Sequence, residues 1–430
     1  MLSCSLISRL LCIVSVAVTN GFHTPFHKIS GFYGLIGPNI RTSSVNSLFE
    51  LFTGDGIIQG VFLNRGNISF VKHLIQTDKV VYESKHGPFL KPVQFLPFYM
   101  LAHKLRMIPN VLGLANTALL KVRGQLFALF ERDYPYEIRL DHDSREIHTV
   151  CKRVIPCLQT FSGHSKYDGT RIHSMDYNVL LKRVRYLQMF GDFSPTTVVK
   201  DIPMRYIPII HDFAVLHRGV LLIDSPIQWN PFKRIPVSLN RRRPTYIHIY
   251  NWTTDKTSTY ELPESVYLFH YANVLEYGNG TIEIYGVFYD TLDFSSVNIV
   301  GKYRKIVVRE GRREVSMERI DAFENMNVDF PKRWGRYTIL QKNDNRRFSG
   351  FLVCEKDRVI QDIRLPEDRS FCGEPEVVEI EGRGYLLGFS YDGEDRGYLV
   401  LCGLFEGDYF EVPLNETVTI GFHSTFIGSQ

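Results

Sequence analysis

The sequence predicts an all-β chain whose hairpins are arranged radially, as the blades of a propeller, and three observations carry that prediction. Short apolar runs broken by turn residues fill the chain from Gly31 onward. Long helical periodicity is scarce. Hairpin-like segments, in which an apolar strand meets a turn rich in Asp, Gly or Asn and a second strand returns, recur around the whole length. Radial blades leave only short, protected strand edges, so such a chain avoids edge-to-edge association. No fixed-period repeat of the WD type marks the blades, and the residues alone do not number them.

Taken in order, residues 1–21 stand apart. Arg9 is followed by the apolar run Leu10 to Val18 and then by Thr19, Asn20 and Gly21. The run is shorter than the ~20 apolar residues that span a bilayer, and its flanks are those of a signal or targeting peptide; an N-terminal strand is the alternative. Entry into the secretory pathway is the expected route, with a secreted or luminal destination, or a plastid if Phe22 belongs to two-step algal targeting. Sequons at Asn67, Asn251, Asn279 and Asn415 are compatible with that route.

Residues 30–430 are expected to form one β-propeller. Hairpin form is assigned to 124–141, 244–263, 280–290 and 384–414. One segment breaks the pattern: 95–114 is strongly apolar but carries His103, Lys104 and Arg106 and contains Pro97 and Pro109. These charges and prolines argue against a spanning helix. The segment is an insertion that either covers the core or lies at a membrane surface with basic residues at its rim.

Composition narrows the function classes. The chain has 430 residues, 44% of them hydrophobic and 22% charged, which suits a well-buried core. Its net charge of +4 is the difference between 50 basic and 46 acidic residues, so no nucleic-acid partner is expected. The runs Arg241 to Arg243 and Arg312 to Arg313 read as solvated loop charges. Seven cysteines without a CxxC pair support neither a zinc ribbon nor a disulfide framework. Cys151 and Cys157 could bridge, although buried free thiols fit better. Nucleophile-elbow, Walker and dinucleotide fingerprints are missing from the sequence.

Four of the 14 histidines sit in apolar or small-residue contexts suited to strand ends: His164 in TFSGHSKYDG, His211 in YIPIIHDFAVL, His270 in VYLFHYANVLE and His423 in TIGFHSTFI. Their separations of tens of residues are unlike a local zinc motif. In a propeller, inner strands of different blades each deliver one side chain to a common axis.

These four contexts resemble the histidine motifs of the carotenoid cleavage oxygenase family. Further matches follow in family order: GPN at 37–39, FTGDGII at 52–58, IQT at 75–77, ANTALL with FALFE from 115 to 131, HDFAV at 211–215, HYANVLE at 270–276, GEPEVV at 373–378 and GFHSTFI at 421–427. Ile40, Thr53 and Ser424 depart from the family pattern, and none of them removes a histidine. The resemblance implies a seven-bladed β-propeller with helical and loop insertions capping an axial site. It implies Fe(2+) as cofactor, held by His164, His211, His270 and His423.

Histidine ligands normally donate their second ring N–H to a carboxylate or carbonyl. By resemblance, Glu131 orients His211, Glu374 orients His423, and Glu324 or its competitor Asp321 serves His270, leaving His164 without a carboxylate. The resemblance also places Thr117 beside the iron, where it crowds one coordination position, whereas Asp212, Asn273 and Glu276 stabilise strand ends. The implied reaction inserts both atoms of dioxygen across a conjugated carbon–carbon double bond of a hydrophobic polyene, a carotenoid or apocarotenoid. Segment 95–114 would take that substrate from a membrane. Cleavage of stilbene-like phenolics, retinoid isomerisation on the same site, and a non-catalytic secreted binding propeller are the alternatives.

Overall fold

The computed structural model describes residues 14–17, 25–90, 95–156, 158–229, 237–297, 299–344 and 347–429. Among them, antiparallel hairpins assemble into seven blades built on four strands each, with a fifth strand at the outer edge of blade 1. Blades 2 to 5 begin with the strands Ala118–Val122, Lys166–Tyr167, Ala214–Val215 and Tyr267–Glu276. Blades 6 and 7 begin with Val328–Trp334 and Glu376–Ile380 and are joined by the short strand Ser370–Phe371. Blade 1 is composite: Ser424–Gly428, from the far end of the chain, pairs with Ser30–Pro38 and closes the ring.

Seven hydrophobic cores lie between neighbouring blades rather than at one centre. Alternation along a strand explains how one sequence serves two of them. In Ser30–Pro38, Tyr33 and Leu35 pack toward blade 7, while Phe32 and Ile36 pack toward blade 2. Strands in the middle of a blade are covered on both faces and read as continuous apolar runs, as in Gly219–Asp224, which is buried throughout. Outermost strands have one wet face: Pro195–Pro203 and Arg358–Arg364 alternate between exposed residues and residues that are half-buried or, at Ile202 and Ile363, buried.

Three expected hairpins are present at 124–141, 244–263 and 384–414, the last as three strands. The segment 280–290 differs. It is a single strand, Thr281–Tyr289, paired on both sides within blade 5, because its glycine at 286 is strand interior rather than turn. A helix not anticipated from the pattern, Asp78–His86, follows blade 1, its first turn capped by Thr77 of the IQT motif, whose hydroxyl accepts from Val80 N. The insertion at 95–114 contains the helix Leu96–Lys104. No described helix is long and apolar enough to cross a membrane.

Most of 1–21, where a leader is expected, lies outside the described residues. Its strand Val14–Ala17 pairs with Asn67–Phe70 on the outer edge of blade 1. Cys4, Cys12 and Cys157 also lie outside them. Cys354, Cys372 and Cys402 are free and buried, as expected, but Cys151 is free and exposed, beside exposed Val150 on the outer strand Glu146–Lys152.

Candidate metal centre

The first strands of neighbouring blades approach one another around the axis, and the four histidines stand at or just before four of them. His164 precedes Lys166–Tyr167, His211 precedes Ala214–Val215, His270 lies within Tyr267–Glu276, and His423 precedes Ser424–Gly428. One nitrogen from each ring lies within 4.8 Å of the others. The Nε2 atoms of His164 and His211 are 2.9 Å apart. Metal–imidazole bonds of about 2.1 Å meeting at a right angle would put two nitrogens about 3 Å apart. Nε2 of His270 is buried with no hydrogen-bond partner among the described residues, an expensive arrangement for a polar atom unless something else binds it.

Three rings are held from behind. Nδ1 of His211 lies 2.8 Å from Glu131 Oε1, Nδ1 of His270 lies 3.4 Å from Asp329 Oδ1, and Nδ1 of His423 lies 3.4 Å from Glu374 Oε2. With Nδ1 donating, the neutral ring turns its Nε2 lone pair inward. Burial would push the Glu374 carboxyl up. The Lys332 ammonium, 3.4 Å away, and His423 outweigh it and hold the group at about 2. Burial likewise works against ionisation of Glu131 and Asp329, yet hydrogen bonds from His211 and His270 keep both below the ordinary carboxylate range. For His164, burial followed by the neighbouring imidazoles pushes the pKa well below 6.5, so the ring is neutral at physiological pH.

Glu131, Glu374 and Thr117 therefore stand at the cluster, whereas Glu324 and Asp321 do not. Asp321 opens a short 3-10 turn that ends at Glu324, whose carboxylate faces Arg304 at 3.8 Å. The carboxylate at His270 is Asp329, five residues beyond Glu324. A register shift between Asp329 and Lys332 re-aims this strand, and no residue preference announces such a bulge. The following Phe330 has φ 43°, a conformation costly for a bulky residue, and stacks on His270 at 5.4 Å between ring centroids. Thr117 is buried, and its hydroxyl lies 3.3 Å from Glu131 Oε2.

Gly163, also missed in the sequence, packs closely against this pair. A Cβ there would come within 2.9 Å of both Glu131 Cδ and Thr117 Cγ2. Glu276 has the strand-end role expected of it, accepting from His217 N at 2.7 Å, while Asn273 Oδ1 is buried without a hydrogen-bond partner among the described residues.

A cavity of about 320 Å³ opens onto His211, His270, His423 and Thr117. Its wall is largely aromatic and aliphatic, with Phe52, Phe269, Phe330, Phe348 and Phe422 prominent. Phe52 comes from the helix Leu48–Thr53, capped by Ser47, and lies 6.3 Å from the His211 ring.

Fold and site together define a class: seven-bladed β-propellers with four histidines converging on the axis, three of them backed by carboxylates, beside an apolar cavity. The chain belongs to the retinal pigment epithelial membrane protein family, whose sequence model matches residues 27–428.

A chloroplastic 9-cis-epoxycarotenoid dioxygenase of Arabidopsis thaliana is 23% identical over 97% of this chain and 77% of its own length. The carotenoid 9,10(9',10')-cleavage dioxygenase 1 of the same plant is 25% identical over 47% of this chain and 40% of its own length. Among solved structures, a mutant of the Synechocystis apocarotenoid oxygenase superposes with a TM-score of 0.77 at 17% identity, covering 97% of this chain and 96% of its own. The cobalt-substituted Synechocystis enzyme gives a TM-score of 0.76 at 16% identity over the same shares.

Proposed function

We propose that this chain is a non-haem Fe(II) dioxygenase that cleaves a conjugated carbon–carbon double bond of a carotenoid or apocarotenoid. The carrying observation is the convergence of His164, His211, His270 and His423 on one point beside an apolar cavity. The carotenoid dioxygenase names of the relatives support the substrate class, and the cobalt-substituted neighbour supports a divalent ion on this fold. Four neutral imidazoles suit a first-row divalent ion, and Fe(II) supplies the redox change and dioxygen binding that zinc lacks. Both oxygen atoms end in product: the double bond and dioxygen become two carbonyl groups.

The chain's own residues bind, orient and exclude. Glu131, Asp329 and Glu374 hold Nδ1 protons so that Nε2 faces inward. The aromatic wall excludes water and aligns a rigid polyene. Thr117, on that wall, narrows the approach to the cluster so that dioxygen and the alkene meet in one orientation.

Purification without oxygen, iron quantification and product chromatography from a carotenoid, an apocarotenal and a hydroxystilbene test this reading. We expect one iron per chain and two carbonyl products from one of the polyenes. Cleavage of the hydroxystilbene alone would move the assignment to phenolic substrates. Iron-loaded protein inert on all three would overturn cleavage and leave retinoid isomerisation. A chain without stoichiometric iron would overturn the enzyme reading in favour of a binding propeller.

The same proposal includes peripheral membrane contact through 95–114. Phe98, Met100, Leu101, Leu105 and Met107 are exposed together, with Lys104 and Arg106 among them. Apolar side chains at a membrane surface with cations at the headgroups fit this arrangement. It also includes a leader at 1–21, with the chloroplastic names of plant relatives favouring a plastid destination over secretion. A fluorescent fusion of the leader that stays cytosolic would refute the targeting role.

A further inference from the structure

We infer that Asp212 is a positioning residue for the histidine cluster, and that Lys166, paired with it, does for His164 what a ring carboxylate does for the other three histidines. The inference rests on the metal reading above. Among the described residues no carboxylate lies within hydrogen-bonding distance of the His164 ring, although His164 belongs to the same cluster.

The Asp212 carboxylate is buried and follows His211 directly. Its Oδ1 accepts from Lys166 Nζ at 2.7 Å and from Phe213 N at 2.7 Å, and its Oδ2 accepts from Tyr271 N at 3.2 Å. Lys166 lies two residues beyond His164 and opens the inner strand of blade 3. Tyr271 lies one residue beyond His270 in the inner strand of blade 5. One carboxylate therefore ties blades 3, 4 and 5 together within two residues of three of the four histidines.

His423 is gripped in a similar way by a different group. Glu374 Oε2 accepts from the backbone N–H of Ser424, the residue after that histidine, at 3.2 Å. At His270 and His423 the N–H just past the histidine is thus fixed by a carboxylate, and at His211 the N–H of Phe213 is. Among the described residues no carboxylate meets the N–H just past His164, which donates instead to the Ser162 carbonyl at 3.3 Å. Its strand is held instead by the Lys166 ammonium, which also lies 5.2 Å from the centre of the Phe213 ring. A buried carboxylate is tolerated only when its charge is met, and here one ammonium and two N–H groups meet it. Removing the ammonium leaves the Asp212 charge short of a partner and takes away the tie from the strand behind His164 to blade 4, leaving that strand only its ladder to Arg171–Asn178.

The test uses the full chain, with Lys166→Met, Lys166→Arg and, as a control, Lys305→Met, which removes an ion-paired lysine from the third strand of blade 5. Cobalt(II) affinity is measured against a competing chelator. The visible absorption of bound cobalt reports ligand geometry, and melting of the metal-free chain reports folding. We expect K166M to weaken cobalt binding roughly 10- to 100-fold and to change the cobalt absorption, K166R to recover most of both, and K305M to alter melting alone.

K166M with wild-type affinity and absorption would overturn the inference. So would a K166M whose melting falls while its cobalt-saturated absorption matches wild type, since that describes a purely structural brace. A wild-type chain that takes up no cobalt would overturn the metal reading itself, and this inference with it.

Discussion

At the residue scale, the cluster depends on side chains whose placement leaves little room for change. Asp329 reaches His270 only because the bulge brings it there, and it also accepts from Phe330 N at 2.8 Å, which helps hold Phe330 at positive φ. D329N keeps the shape but removes the charge, and outer carboxylates of this kind typically contribute 10- to 100-fold to metal affinity. We expect a loss in that range, read by iron retention against a chelator; retention equal to wild type would remove Asp329 from the site. Gly163 is expected to be as sensitive for a different reason. G163A forces Glu131 or Thr117 to move by several tenths of an ångström, a form of overpacking that costs about 1–3 kcal/mol. Both a lower melting temperature and weaker metal retention should follow, because Glu131 is the partner of His211. A variant that loses stability alone would separate the two roles.

At the element scale, the blades are held by contacts between neighbours, and one of these carries a pH dependence. His73, in the outer strand Asn67–Leu74 of blade 1, places Nε2 2.8 Å from Thr149 Oγ1 of blade 2. Burial first, and the charge of nearby His148 second, push its pKa down to about 4. The unfolded chain takes up this proton near pH 6.5, and the folded chain resists it until about 4. The stability contributed by the neutral ring is therefore complete above pH 6.5 and lost as the pH falls toward 4, about 3 kcal/mol in all. H73Q should show a smaller loss of melting temperature than wild type across that window. Parallel curves for the two proteins would contradict the prediction. The hairpins at 124–141 and 244–263 were legible because apolar runs and turn residues sit in local order. The bulge at Asp329 was not, because it is decided by what the strand must reach, and local preference carries no record of that.

At the scale of the whole molecule, Ser424–Gly428 joins the end of the chain to Ser30–Pro38, and the same turn of chain delivers His423, whose carbonyl accepts from Ile36 N at 3.0 Å. Ending the chain after His423 keeps all four histidines but removes the closing strand. We expect a large fall in melting temperature together with loss of metal retention, since blade 1 would lose its innermost strand. Intact retention would mean that the histidines assemble without ring closure. The membrane contact proposed for 95–114 also belongs to this scale. Replacing Phe98, Leu101 and Leu105 by serine should reduce binding to phospholipid vesicles by at least about tenfold, given roughly 25 cal/mol per Å² of apolar area withdrawn from water. Unchanged vesicle binding would assign the segment to another role.

By itself the sequence determined the all-β class, the radial arrangement and the four histidines, because these follow from local patterning and from ordered motifs that each occupy a few consecutive residues. Glu131, Glu374 and Thr117 were legible for the same reason, lying within such motifs. Only the tertiary structure decided the partner of His270, the role of Gly163 and the bonds that Asp212 makes across three blades. Each depends on distances between segments tens of residues apart, set by how inner strands converge on the axis. The seven cores are the same kind of fact: alternation shows that a strand has two apolar faces, and ring closure determines which neighbour each face meets.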